Sequence, residues 1–156
     1  MLAALLPGGL AVVIAIAIWW LRGHYAVVSI TGSSMEPAFR SGDRVLVRRG
    51  RRPARGDIVV LERPHRPDTW ATPPHTTRLA ARAWIVKRIA AIPGDPMPAE
   101  VQAAMATAAT EPRALVPTGR IVVLGDNPAA SLDSRSFGLV PLDRVLGRAI
   151  RRLPRR

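Results

Sequence analysis

The sequence has no cysteine, which excludes disulfide frameworks, thiolate zinc sites and cysteine nucleophiles together. Its three histidines, His24, His65 and His75, are too few and too scattered for a metal cluster, and none has an obvious acid partner for a Ser-His-Asp triad. Two Phe and one Tyr leave a small core, built from aliphatic side chains. Lysine is nearly missing as well. The chain of 156 residues carries 23 Lys and Arg against 11 Asp and Glu, a net charge of +12, yet Lys87 is its only lysine. Such a skew suggests that Arg has replaced Lys wherever a bare positive charge suffices. The lysine that remains is then expected where Arg cannot serve, because an amine can give up its proton and a guanidinium cannot. The competing explanation is chance, since a rare residue must sit somewhere.

What the chain does have begins with an apolar run. Residues 2–21, LAALLPGGLAVVIAIAIWWL, hold no charge. About 20 such residues span a bilayer core of roughly 30 Å, and Trp19, Trp20, Arg22, His24 and Tyr25 would mark one interface. A cleaved signal peptide is the alternative. No basic residue precedes the run, however, and bulky Trp19 and Trp20 stand where a small-residue cleavage site belongs. A retained transmembrane anchor over residues 1–24 is expected. Charge alone leaves its orientation open.

From residue 25 to 156 the chain reads as one mainly β domain. VVSI (27–30), RVLV (44–47), DIVVLE (57–62), AWIVKRIAAI (83–92), RIVVL (120–124) and RVLGRAI (144–150) are rich in Val and Ile and bounded by turn formers. Four Gly-Asp pairs, at 42–43, 56–57, 94–95 and 125–126, lie at or near strand ends. Nothing alternates as strand and helix, so a parallel βαβ sheet is excluded. Residues 63–82 are proline-rich and suit a surface loop. The Ala-rich stretch 99–110 is compatible with three helical turns or with a pliable connection.

Chemistry concentrates in three segments. Thr31-Gly32-Ser33-Ser34-Met35-Glu36-Pro37 follows the first strand, where a serine on a tight turn can present its Oγ and backbone N–H to one carbonyl. Lys87 lies within apolar Trp84-Ile85-Val86-Lys87-Arg88-Ile89, where desolvation would lower its pKa and make it a base. A strand lysine pointing to water is the bland alternative. In Gly125–Gly138, Ser131 could hydrogen-bond the amine, and Asp133 could pair with Arg135 or Arg88.

The stretches GSSMEP (32–37), SGDRVLV (41–47), VKRIAAIPGD (86–95) and GDNPAASLDSRSFG (125–138), in this order behind an apolar anchor, resemble the type I signal peptidases, small Gram-positive or actinobacterial type. These are membrane-anchored Ser/Lys proteases. The resemblance implies a signal-peptidase-like β-sheet catalytic domain behind one N-terminal transmembrane helix. It implies Ser34 as nucleophile, Lys87 as general base and Ser131 as the serine that orients the lysine. Asp133, Arg135 and Arg88 would form a supporting salt-bridge network. Gly32, Ser33, Met35 and Pro37 fall at the oxyanion hole and substrate-binding wall, with no hydroxyl at position 32 to complete the hole.

By the same resemblance the substrates are precursors cut after small residues of Ala-x-Ala type, no metal or cofactor is needed, and the catalytic domain is extracytoplasmic on a single-pass cell-membrane anchor. Pro128 departs from the usual Arg after GDN, and residues 96–118 hold at most a reduced version of the family's insertion. Small relatives of this kind include dedicated maturation proteases for the nickel superoxide dismutase precursor, the alternative substrate reading. A rival from another class is a basic membrane-tethered module that binds polyanions, through Arg48, Arg49, Arg51, Arg52 and Arg55 and the tail Arg151, Arg152, Arg155 and Arg156. No nucleic-acid-binding signature accompanies these clusters, so anionic lipid is the expected partner and nucleic acid is not.

Overall fold

The computed structural model describes residues 5–50, 52–65, 70, 83–107 and 114–154, with α1 side chains from position 9 onward. His75, Arg51, Arg155, Arg156 and most of the proline-rich loop lie outside the described residues. Seven strands form one antiparallel sheet: β1 (Tyr25–Ser29), β2 (Arg44–Arg49), β3 (Ile58–Glu62), β4 (Trp84–Ala91), β5 (Arg120–Leu124), β6 (Val140–Pro141) and β7 (Val145–Leu153). Their order across the sheet is β1-β2-β7-β3-β4-β5-β6. All six strands expected from Val/Ile runs are present, and two-residue β6 is an addition too short to leave a pattern.

Alternation of side chains explains which strands are central. In β2, Val45 and Val47 are fully buried while Arg44 and Arg48 turn away from the core, the half-buried pattern of period two. In β3, Val59, Val60 and Leu61 are all fully buried, because β3 lies between β7 and β4 with a core on each face. One core gathers Met35, Val45, Val47, Val60, Val86 and Leu146. The other gathers Val59, Leu61, Ile89, Ile121, Val123 and Phe137. Neighbours on β4 therefore face different cores, which decides where Lys87 points.

Two helices frame the sheet. α1 (Leu5–His24) leads into β1 and leaves Leu10, Val13, Ile16 and Trp19 more than half exposed. Among the described residues no helix is long and apolar enough to cross a membrane, so the transmembrane span expected over 1–24 is not confirmed. α2 (Ala99–Thr107) realises the helical alternative for the Ala-rich stretch and anchors itself through buried Val101 and Met105.

Candidate active site

Lys87 stands on β4 opposite Val59, with Ile85 and Ile89 on the same face. Its side chain is 3% exposed. Burial disfavours the ammonium form and lowers the pKa from its ordinary 10.5; nearby Asp133 works against that shift and Arg135 supports it. The Nζ donates to Ser131 Oγ at 2.9 Å. Ser131 Oγ in turn donates to Asp133 Oδ2 at 2.7 Å, so its proton is committed and its lone pair is what the lysine meets.

Asp133 closes the chain. It is fully buried and accepts from Arg135 Nε and Nη2, from the backbone N–H groups of Gly125 and Arg135, and from Ser131. Burial alone would raise its pKa, but those donors prevail and hold the carboxyl below its usual value. The ion pair with Arg135 at 2.7 Å balances the carboxylate, which limits how far its charge can hold Lys87 protonated. The local fold serves this arrangement. Asp133 caps α3 (Ser134–Phe137), and buried Ser134 accepts from Val123 N–H, which fixes the helix against β5.

Ser34 occupies the turn after β1, pinned from below by Met35, which is 1% exposed in the first core. The segment after β5 holds the turn from the other side. Asn127 N–H donates to Ser34 O at 3.0 Å, and Asn127 Nδ2 to Ser33 O at 3.2 Å. Gly125 is buried between the two halves of the site. A Cβ there would lie 2.6 Å from both Ser34 O and Ser131 Cβ, a distance side chains do not occupy. Ser34 and Lys87 line one cleft of about 440 Å³ with Gly32, Ser33, Ile85, Ala130, Leu132 and Phe137. Among the described residues Ser34 Oγ makes no hydrogen bond to Lys87, and the backbone N–H groups of Ser33 and Ser34 donate to no acceptor.

Three expected placements are not met. Arg88 points to the face opposite Lys87, as strand alternation demands, and pairs bidentately with Asp126 at 2.8 and 2.7 Å, not with Asp133. Met35 lies in the core and does not line the cleft. Pro37 lines a separate hollow with Arg40, Asp43 and Arg152. Conversely, Asp126, Asn127 and Gly125 do structural work in the site that turn chemistry alone did not single out. Arg63, Pro64 and His65 form part of the cleft wall, for which their loop position gave no signal. Among the described residues no group of three or more His, Asp or Glu side chains gathers as a metal site.

The model of the family described as "Signal peptidase, peptidase S26" matches residues 3–105 and 96–153. This chain belongs to that family. An S26 relative described as "Probable signal peptidase I-2", from Synechocystis sp., is 31% identical over 144 residues, covering 77% of this chain and 59% of its own length. The mitochondrial inner membrane protease subunit 1 of Mus musculus is 30% identical over 126 residues, covering 78% and 65%. The chain thus spans about three fifths of the length of these relatives. A crystal structure of a signal peptidase I from Enterococcus faecalis V583 is a distant likeness, 22% identical with a TM-score of 0.41, covering 64% of this chain and 98% of that one.

Proposed function

We propose that this S26 member is a serine endopeptidase that removes N-terminal signal or leader peptides after small residues, with Ser34 and Lys87 as its dyad. The observation that carries the proposal is the hydrogen-bonded chain Lys87–Ser131–Asp133–Arg135, in which Lys87 and Asp133 are buried and which opens into the cleft that Ser34 shares. A neutral amine has one lone pair. With an N–H of Lys87 donated to Ser131, that pair is free for the Ser34 hydroxyl proton.

The reaction follows from those roles. Lys87 Nζ takes the proton as Ser34 Oγ bonds to the scissile carbonyl carbon, and the unengaged N–H groups of Ser33 and Ser34 are the candidate oxyanion donors. Collapse expels the amine, which receives the proton from Lys87. The Lys87 amine, neutral again, then takes a proton from a water as that water attacks the acyl carbon, and passes it to Ser34 Oγ as the acyl group leaves as a carboxylic acid. Ile85, Ala130, Leu132 and Phe137 give the cleft a shallow apolar wall that suits small side chains such as those of Ala-x-Ala. Gly32 adopts φ +89° and donates its N–H to Ser41 Oγ at 3.3 Å, so its backbone is the weaker oxyanion candidate.

The exposed apolar side chains of α1 favour a membrane location, with the catalytic domain extracytoplasmic and anionic lipid as its neighbour. The polyanion-binding alternative draws less support, because Arg152 of the basic tail is already paired with Asp43.

The test is cleavage of an Ala-x-Ala precursor by the detergent-solubilised full chain, read by mass spectrometry. Cutting after the small residue is expected, with loss in both Ser34→Ala and Lys87→Arg. Arg keeps the charge and removes the base, so cleavage that survives it would disprove the dyad.

A further inference from the structure

The cleft wall has basic side chains beside the nucleophile. Among the described residues its ionisable side chains are Lys87, Arg63 and His65, and none of the described residues that line it is a carboxylate. Arg63 has no carboxylate within 4 Å among the described residues, a condition it shares with Arg44, Arg48, Arg49, Arg120 and Arg151, but of these arginines it alone lines the cleft with Ser34 and Lys87. It is also held in place. Its backbone N–H donates to Ala83 O at 2.9 Å, which adds one rung to the β3–β4 ladder beyond Glu62 and Trp84. Its neighbour Glu62 is buried and ion-paired to Arg144, so the end of β3 is anchored.

Register then fixes the face from which the Arg63 side chain leaves the strand. Val59 faces Lys87 and Leu61 faces Ile85, so Arg63, opposite Ala83, rises from the same side of the sheet as the general base. Ala83 precedes Lys87 by four positions, which at roughly 3.3 Å per residue is about 13 Å along the strand. An extended peptide lying in the cleft covers that distance in about four residues. We infer that Arg63, with His65 beside it, forms a cationic subsite that selects an acidic substrate side chain about four residues from the scissile bond. The inference rests on the peptidase proposal. It narrows the substrate class from any Ala-x-Ala precursor to one with a carboxylate at a set distance from the cut.

The test walks a single Asp, Asn or Lys through positions up to five residues on each side of the cut in an otherwise neutral Ala-x-Ala peptide. The full-length enzyme is assayed in detergent at low salt. An exposed ion pair is worth about 1.5–5-fold. One position three to five residues from the cut is expected to favour Asp over Asn by that factor in kcat/KM, with Lys disfavoured. The preference should vanish in Arg63→Gln, reverse in Arg63→Glu and weaken as salt is raised. Cleavage of the neutral peptide with no Asp preference anywhere, or a preference that persists in Arg63→Glu, would overturn the subsite and leave the peptidase standing. Failure to cut any peptide would remove both.

Discussion

Lys87 and Arg88 are adjacent on one strand, both basic, and each is tied to the segment that follows β5. Their environments are opposed. Lys87 is 3% exposed, its pKa is lowered by burial, and it meets its carboxylate only through the hydroxyl of Ser131. Arg88 has a side chain 40% exposed and touches Asp126 directly, which raises its pKa further from an already high value. An interposed serine is what separates the two outcomes. A carboxylate in direct contact stabilises a cation, while one held a bond further away and neutralised by Arg135 orients an amine without charging it. One pleat of β4 thus yields a base on one face and a permanent cation on the other.

The largest break of this contrast is at Lys87. Lys87→Met should abolish turnover, a loss of at least the 10²–10⁴-fold typical of a general base. In the wild type, kcat/KM should rise with pH as the amine loses its proton, with a midpoint below 10.5. Stability carries the same signature. The unfolded chain holds the Lys87 proton up to about the ordinary value and the folded chain releases it earlier. Stability therefore rises with pH between the depressed pKa and 10.5, and is lost as pH falls through the depressed value. In Lys87→Met that slope should be absent, and at pH below the depressed pKa the variant should melt higher than wild type. A wild-type activity profile flat from pH 6 to 10 would contradict a titrating Lys87.

A second comparison sharpens the first, between Gly-Asp pairs that look alike in sequence. At Gly42-Asp43, Gly56-Asp57 and Gly94-Asp95, glycine has φ between +85° and +88° and the aspartate accepts from a backbone N–H three residues earlier. At Gly125-Asp126 the aspartate instead holds Arg88, and the glycine is required by close approach. Gly125→Ala should push Ser131 and the Ser34 turn apart. It should cost about 1–3 kcal/mol of stability and reduce kcat at least tenfold. Gly94→Ala, strained only by its positive φ with open space around it, should cost about 1–2 kcal/mol and leave kcat unchanged. Thermal melts and steady-state kinetics on both variants separate a packing requirement from a turn requirement.

These contrasts also mark what the sequence made legible. Val/Ile content between turn formers revealed every strand longer than two residues, because β-branched side chains suit the buried faces of a sheet whether burial alternates, as in β2, or is continuous, as in β3. Lys87 was legible from its rarity, and Ser34, Ser131 and Asp133 from the family resemblance. Which face each β4 side chain takes was implicit in alternation, yet the partner of Arg88 depended on how residues 125–135 loop over the strand, a non-local fact. Met35, which the resemblance puts at the substrate-binding wall, has its side chain in the first core, because the turn sends successive side chains in different directions and the larger apolar one is drawn inward. Arg63 gave no local signal, since its position depends on pairing with a residue twenty places away.

The smallest expected effect is on the exposed side of the comparison. Arg88→Met removes two hydrogen bonds to Asp126 and one to Gly56 O, all partly solvated. A pair this open is worth about 0–1 kcal/mol, so the melting temperature should barely move. If Arg88 acted on Lys87, as a shared salt-bridge network would require, the variant would shift the acid limb of the pH–rate profile. With the two side chains on opposite faces and Asp126 between Arg88 and the site, the midpoint should stay where it is, and only kcat should fall by a few-fold as Asn127 loosens its grip on the Ser34 turn. A shifted midpoint would mean that the charge on one face of β4 is felt on the other, and that pleat direction alone does not isolate the base.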